Sequence, residues 1–312
     1  MSPASDFLDP RLTERRNPRS VGIDVADSLE IVELIANEDD YVLTAVRAVK
    51  HDIAKAIDLI TDSFKVGGRL IYVGAGTSGR LGVLDASECP PTFGTAPEMV
   101  VGIIAGGIPA LTRSQEGAED SEAKGAEAVS ELGLTANDFV LGIAASGTTP
   151  FVAGAVKEAA QAGATTGFLV CSDPPAEMSQ VADLVIAVKV GPEVVTGSTR
   201  LKAGTATKMV LNMLTTAAMV RLGKAYGNLM VDLQATNNKL VDRGERMVME
   251  VAGVDREEAK RLVSVAGGKV KTAIVMGKRK VNMEEAVRLL EEAGGVVRNV
   301  IGDPPPVISE TD

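Results

Sequence analysis

From Ser28 to about Val66 the apolar residues recur at helical spacing: Leu29, Val32 and Ile35, then Val42, Val46, Val49, Ile53, Ile57 and Ile60. The pattern predicts two helices with a break near the polar run 37–40. The period then changes. Five short apolar runs follow, at 69–74, 100–104, 139–144, 167–171 and 184–188. All five are β-rich and apolar on both faces. The first four are separated by roughly 20 to 35 residues of mainly helical character, the spacing of a repeated βα unit. The last gap is only about a dozen residues, enough for a short crossover. This is the pattern of an α/β protein whose parallel sheet is covered on both faces.

After the fifth run comes a long Ala/Met/Leu segment, 201–222, apolar almost all round and expected to be buried in the domain or in a subunit interface. Downstream, Asp255-x-x-Glu258 and Asn282-x-x-Glu285 read as helix starts with Asp and Asn as caps. Gly267-Gly268 and Gly294-Gly295 read as helix stops. The expected layout is an N-terminal arm (1–20), a sheet domain with flanking helices (21–240), a small helical domain (241–302) and a disordered tail (303–312).

Composition narrows the function classes. The 312 residues include 42 acidic and 32 basic side chains, a formal net charge of −10, with aromatics at 3% and no Trp. An acidic surface and few stacking rings argue against nucleic-acid binding. The single histidine, His51, excludes multi-His metal sites. It lies among charged helical neighbours and is expected to be solvated. Two cysteines exclude a disulfide scaffold and point to a reducing, cytoplasmic compartment. Cys89 and Cys171 are read as packing residues. No apolar run is long enough for a membrane span, and the polar, Arg-bearing N-terminus does not read as a secretory signal.

Two loops carry candidate chemistry. The first strand runs into Gly74-Ala75-Gly76-Thr77-Ser78-Gly79-Arg80, where glycines permit a tight turn and Thr77 and Ser78 offer hydroxyls beside a helix N-terminus. The second strand ends Ala105-Gly106-Gly107, without the ribose-binding acid of a dinucleotide site. The third strand ends in Ala145-Ser146-Gly147-Thr148-Thr149-Pro150, with Thr149 and Pro150 at N-cap and N1 of the next helix. The same chemistry twice, at the carboxyl ends of two strands of one sheet, suits a monophosphate.

These loops resemble the two phosphosugar loops of the sugar isomerase (SIS) domain. The run from Gly76 to Gly94, with Asp85-Ala86-Ser87-Glu88-Cys89-Pro90-Pro91, is similar to the signature of the N-acetylmuramic acid 6-phosphate etherase family. The stretches 13–17, 116–120 and 194–206 match that family too, so the resemblance spans nearly the whole chain. It implies an SIS-type three-layer α/β/α sandwich with a five-stranded parallel sheet, and a homodimer. It implies an enzyme without cofactor or metal, whose substrate is the anionic phosphosugar N-acetylmuramate 6-phosphate. It also implies a lyase that removes D-lactate by elimination followed by water addition, in amino-sugar catabolism and cell-wall recycling.

Such an elimination can run on two carboxyl groups, one neutral and one ionised. Position alone makes Glu88, Glu116, Glu119 and Asp120 candidates, all beyond carboxyl ends of strands, and does not choose among the last three. The resemblance implies Glu88 as the acid at the lactyl oxygen and Glu119 as the base at C2. Thr77, Ser78, Gly79, Ser146, Gly147, Thr148 and Lys202 are the expected substrate contacts. For Arg200 and Lys202 the alternative is an ordinary surface pair. The arm, with Arg15, Arg16 and Arg19, either reaches an active site or is simply solvated. Two rivals share the fold: a phosphosugar-binding regulator like glucokinase regulatory protein, and an aldose–ketose isomerase that needs no acid at C3.

Overall fold

The computed structural model describes residues 9–233 and 238–306. They fall into two compact units: residues 9–87 with 97–215, and residues 88–96 with 216–233 and 238–306.

In the first unit each apolar run forms a strand: β1 (Leu70–Gly74), β2 (Val100–Ile104), β3 (Phe139–Ile143), β4 (Thr165–Val170) and β5 (Leu184–Ala187). All pairings are parallel, in the order β2-β1-β3-β4-β5. Leu70 aligns with both Val100 and Phe139, and Gly74 with both Ile104 and Ile143, so these three strands end at one level. The order reverses between β1 and β3. Their two following loops therefore flank the switch point, where open α/β sheets bind ligands.

Alternate residues of β1 face opposite layers. Ile71 and Val73 join a core with Val140, Val129 and Phe151. The last two lie on α4 (Glu122–Ser130) and α5 (Pro150–Gln161). Tyr72 faces the other way, toward Gly82 and Asp85 of α3 (Gly76–Phe93). Asp85 is also held by α7 (Lys202–Arg221), through Asn212 and Thr215. A sheet between these two helical layers is the expected three-layer sandwich.

The first two helices differ from expectation at one point. α1 (Ser28–Ala48) opens on a capping box between Asp27 and Glu30 and runs straight through 37–40. The break comes at Val49, before α2 (Lys50–Lys65). The polar run is no loop because Glu38 points inward and is 2% exposed. In the segment 201–222, α7 (Lys202–Arg221) buries Ala203, Ala206, Val210, Leu211, Leu214, Ala218 and Met219 within the chain, while Met213 and Val220 are exposed.

In the second unit α10 (Val270–Arg279) packs against α8 (Asn238–Ala252), α9 (Arg256–Val265), α11 (Met283–Glu292) and α12 (Val297–Ile301). Val248, Leu262, Ala273, Ile274 and Leu290 form part of its core. Asp255 and Asn282 cap α9 and α11 by accepting from the Glu258 and Glu285 N–H groups. Of the tail, residues 303–306 have no regular structure, and 307–312 lie outside the described residues.

Candidate active site

A cavity of about 420 Å³ opens in the first unit beyond the carboxyl ends of β1 and β3. Ala75, Gly76, Thr77 and Ser78 line it from the first loop, and Ala145, Ser146, Thr148, Thr149 and Pro150 from the second. Glu119, Asp120, Thr199, Arg11 and Glu14 complete the lining.

The local reasons are visible. Thr77 and Ser78 fall in the first turn of α3, where backbone N–H groups have no partner within the helix and the dipole end is positive. That turn sits close on the sheet because its fourth residue is glycine. A Cβ at Gly79 would lie 2.6 Å from the Ile104 side chain and 2.7 Å from the Gly74 carbonyl oxygen. Gly79 thus serves by close approach and is not itself in the lining. In the second loop Gly147 has φ 85, which lets its N–H bond back to Ala144 and places Ser146 Oγ 3.1 Å from Thr148 Oγ1. Thr149 is the N-cap residue of α5 and its side chain makes no cap hydrogen bond. The two loops thus offer five hydroxyls, those of Thr77, Ser78, Ser146, Thr148 and Thr149, and two helix N-termini at one point, chemistry suited to an oxyanion such as phosphate.

Glu119 is exposed at the cavity. Its carbonyl oxygen accepts from Phe151 N–H at 2.9 Å, which ties its segment to the first turn of α5. Asp120 shares the lining and Glu116 does not. Glu88 is exposed on the last part of α3, in the stretch that belongs to the second unit. It is not among the lining residues.

Lys202 does not line the cavity and is not a surface residue. It is 0% exposed, with Nζ 2.7 Å from Glu38 Oε2. Its N–H and that of Ala203 donate to Glu193, which caps α7. Arg200 is exposed and also outside the lining. His51 is exposed on α2, as expected. Both cysteines are buried, and burial pushes the Cys171 thiol up to about 12, which leaves it inert. Among the described residues no group of three or more His, Cys, Asp or Glu is placed to hold a metal ion. Nor is any described helix long and apolar enough to cross a membrane.

The N-terminal arm supplies what the sequence reading missed. Thr13, Asn17 and Ser20 are buried. Leu12 N–H donates to Ser172 Oγ, Gly197 N–H to the Thr13 carbonyl, and Ser20 Oγ to the Val194 carbonyl. Asn17 Nδ2 and Arg19 both donate to Glu38. Arg19 also lies 4.7 Å over the Tyr41 ring. The arm is therefore fastened to the segments that follow β4 and β5 and to α1, and it is Arg11 and Glu14 that reach the cavity. The matching stretch 13–17 could have flagged Glu14, whereas Arg11 carries no signal beyond its charge.

Comparison with known proteins agrees in kind. The family profile of the glucokinase regulatory protein N-terminal SIS domain matches residues 52–160. The N-acetylmuramic acid 6-phosphate etherase of Brucella anthropi is 54% identical over 269 residues, covering 86% of this chain and 87% of the relative. That of Salinibacter ruber is 55% identical over 271 residues, covering 87% of each. Among solved structures, a phosphoheptose isomerase from Francisella tularensis aligns with a TM-score of 0.44 at 18% identity, covering 61% of this chain and 100% of that one.

Proposed function

The chain belongs to the N-acetylmuramic acid 6-phosphate etherase family, and on that premise we propose that it cleaves the D-lactyl ether of N-acetylmuramate 6-phosphate. The products are N-acetylglucosamine 6-phosphate and D-lactate. The observation that carries this reading is the cavity at the β1–β3 switch point. Five loop hydroxyls and two helix N-termini there suit a phosphate, and a carboxylate, Glu119, shares the same lining.

The chemistry follows from the sugar. Ring opening exposes an aldehyde at C1, which acidifies the C2 proton. Glu119 takes that proton. The C3–O bond breaks, and the departing lactate oxygen is protonated by Glu88. Water then adds across the resulting C2–C3 double bond, hydroxyl to C3 and proton to C2. The position of Glu119 in the lining supports its role. Glu88 rests on the family motif, and Asp120 is the alternative acid at the cavity. Thr77, Ser78, Ser146 and Thr148 take the phosphate, with Gly79 and Gly147 shaping the two loops. Lys202 acts at one remove, by holding Glu38 and the start of α7.

The reading includes a homodimer, supported by exposed apolar side chains around the start of α1: Val25 at 85%, Leu29 at 66% and Val32 at 62%. Sedimentation at micromolar protein checks it, and a monomer would oppose it. A cytoplasmic location is supported by the low cysteine count, two in 312 residues, both of them buried.

The test is incubation with N-acetylmuramate 6-phosphate in oxygen-18 water. Release of D-lactate with label at C3 of the sugar is expected. The SIS-domain profile match favours one other reading, a phosphosugar-binding regulator. Binding without turnover would support it instead.

A further inference from the structure

The substrate proposed above carries two anionic groups, the phosphate and the lactyl carboxylate. The two loops offer one oxyanion site. Three acids, Glu14, Glu119 and Asp120, line the same cavity. A second anion placed among them is repelled unless a cation faces it.

The basic residues singled out near this edge are mostly committed elsewhere. Lys202 is fully buried on Glu38, and Arg19 donates to the same carboxylate. Arg15 curls back to donate to the carbonyl oxygens of Asp9 and Pro10. Arg200 is exposed and outside the lining. Among the described residues, Arg11 is the one basic side chain that lines the cavity.

Its guanidinium is itself paired with Asp9, and that pair orients it while leaving one edge open. Nε and Nη2 donate to the two carboxylate oxygens of Asp9 at 2.9 and 2.6 Å. Nη1 has no hydrogen-bond partner among the described residues. The backbone beneath is fixed, since Arg11 N–H donates to Asp9 at 2.9 Å and the next residue, Leu12, donates to Ser172. A half-exposed, oriented guanidinium with a spare N–H edge is suited to a carboxylate.

We infer that Arg11 receives the lactyl carboxylate and so distinguishes the substrate from its lactate-free product. The inference rests on the etherase reading. It makes the N-terminal arm one wall of the site, with the loops holding the phosphate and Arg11 the other anion.

The experiment compares two ligands across Arg11→Ala and Arg11→Lys. D-lactate release gives KM and kcat for N-acetylmuramate 6-phosphate, and calorimetry gives Kd for N-acetylglucosamine 6-phosphate. Loss of one charge-assisted contact predicts that Arg11→Ala raises KM by roughly tenfold or more. Product Kd should stay within about twofold, because the product lacks the carboxylate. Arg11→Lys should recover part of the loss, keeping the charge without the fork. Unchanged KM, or equal weakening of both ligands, would overturn the assignment. The second result would move Arg11 to the phosphate or to the wall alone. Failure of the etherase reading shows separately, as wild-type protein that releases no D-lactate.

Discussion

Lys202 Nζ sits 2.7 Å from Glu38 Oε2, and both side chains are closed off from water, at 0% and 3% exposure. Glu38 also accepts from Asn17 and Arg19. One carboxylate thus joins the arm, α1 and the start of α7. Removing one member of a buried pair leaves the other charge uncompensated, at about 3–5 kcal/mol. Glu38→Ala should cost that much, because Lys202 loses its counter-ion. Lys202→Met should cost less, since Glu38 keeps two donors. The Arg19 hydrogen bond first, then those from Lys202 and Asn17, hold the Glu38 carboxyl down at about 2 from its ordinary 4.5. A depressed acid stabilises fully above its unfolded value. This contribution should therefore be complete above about pH 4.5 and fade as pH falls toward 2. Urea melts of wild type and Glu38→Gln across that window check it. Parallel curves would contradict it.

The same pair shows where the sequence stops being legible. Five strands could be read because both sheet faces are buried, which leaves continuous apolar runs such as Leu70–Val73. Thr77, Ser78, Ser146 and Thr148 could be read because phosphate chemistry needs hydroxyls after strands. Strand order could not, since periodicity reports which face is apolar and not which strand is the neighbour. The sequence pattern assigns Glu38 to a break between helices, and Lys202 to a substrate contact or a surface charge. A charged residue's burial depends on a partner far along the chain, here 164 positions away. The reach of Arg11 into the cavity has the same origin, because the arm is placed by contacts with residues near 172 and 197.

Helices α4 and α5 meet through two glycines. A Cβ on Gly125 would overlap the Phe151 carbonyl oxygen, and one on Gly154 the Glu122 carbonyl oxygen. Both obstacles are backbone, so neither can swing aside. Gly125→Ala or Gly154→Ala should therefore push the helices apart, at about 1–3 kcal/mol or more. The segment carrying Glu119 is bonded to Phe151, so activity should fall further than stability alone explains. Turnover measured well below the melting temperature separates the two effects. Full activity in a folded Gly125→Ala protein would show that this packing does not position Glu119.

Asp85 accepts from Tyr72 Oη and Asn212 Nδ2, each at 2.9 Å, and from Thr215 Oγ1 at 3.3 Å. Burial is the largest influence on its carboxyl and raises it above the ordinary 3.8. For a raised acid the sign reverses: its contribution is complete below about pH 3.8 and is lost as pH climbs through the folded value. The wild type's advantage over Asp85→Asn should therefore be largest near pH 3.5 and shrink toward pH 7. Asp85→Ala removes an acceptor shared by three side chains and should cost about 1–3 kcal/mol for a donor left unsatisfied, while Thr215 keeps the Leu211 carbonyl at 3.2 Å. Denaturant titrations of all three proteins at both pH values decide it. An advantage over Asn that grows with pH would mean the carboxylate is stabilised by its donors more than burial penalises it.

Glu88 and Glu119 are assigned different bonds, so their amide variants should fail differently. Proton removal from C2 precedes loss of lactate. Glu119→Gln should therefore lose both exchange of the C2 proton with deuterium oxide and release of D-lactate. A lost general base typically costs about 10² to 10⁴-fold. Glu88→Gln should lose lactate release while C2 exchange continues, because the step before the acid acts is intact. Proton NMR of the substrate in deuterium oxide reads exchange, and lactate is assayed in the same tube. Suppose instead that Glu88→Gln abolishes exchange in a folded protein. The acid assignment is then wrong, and Asp120, which already lines the cavity beside Glu119, becomes the residue to replace next. If Glu119→Gln keeps exchanging, Asp120 is the candidate base, since Glu116 lies outside the lining.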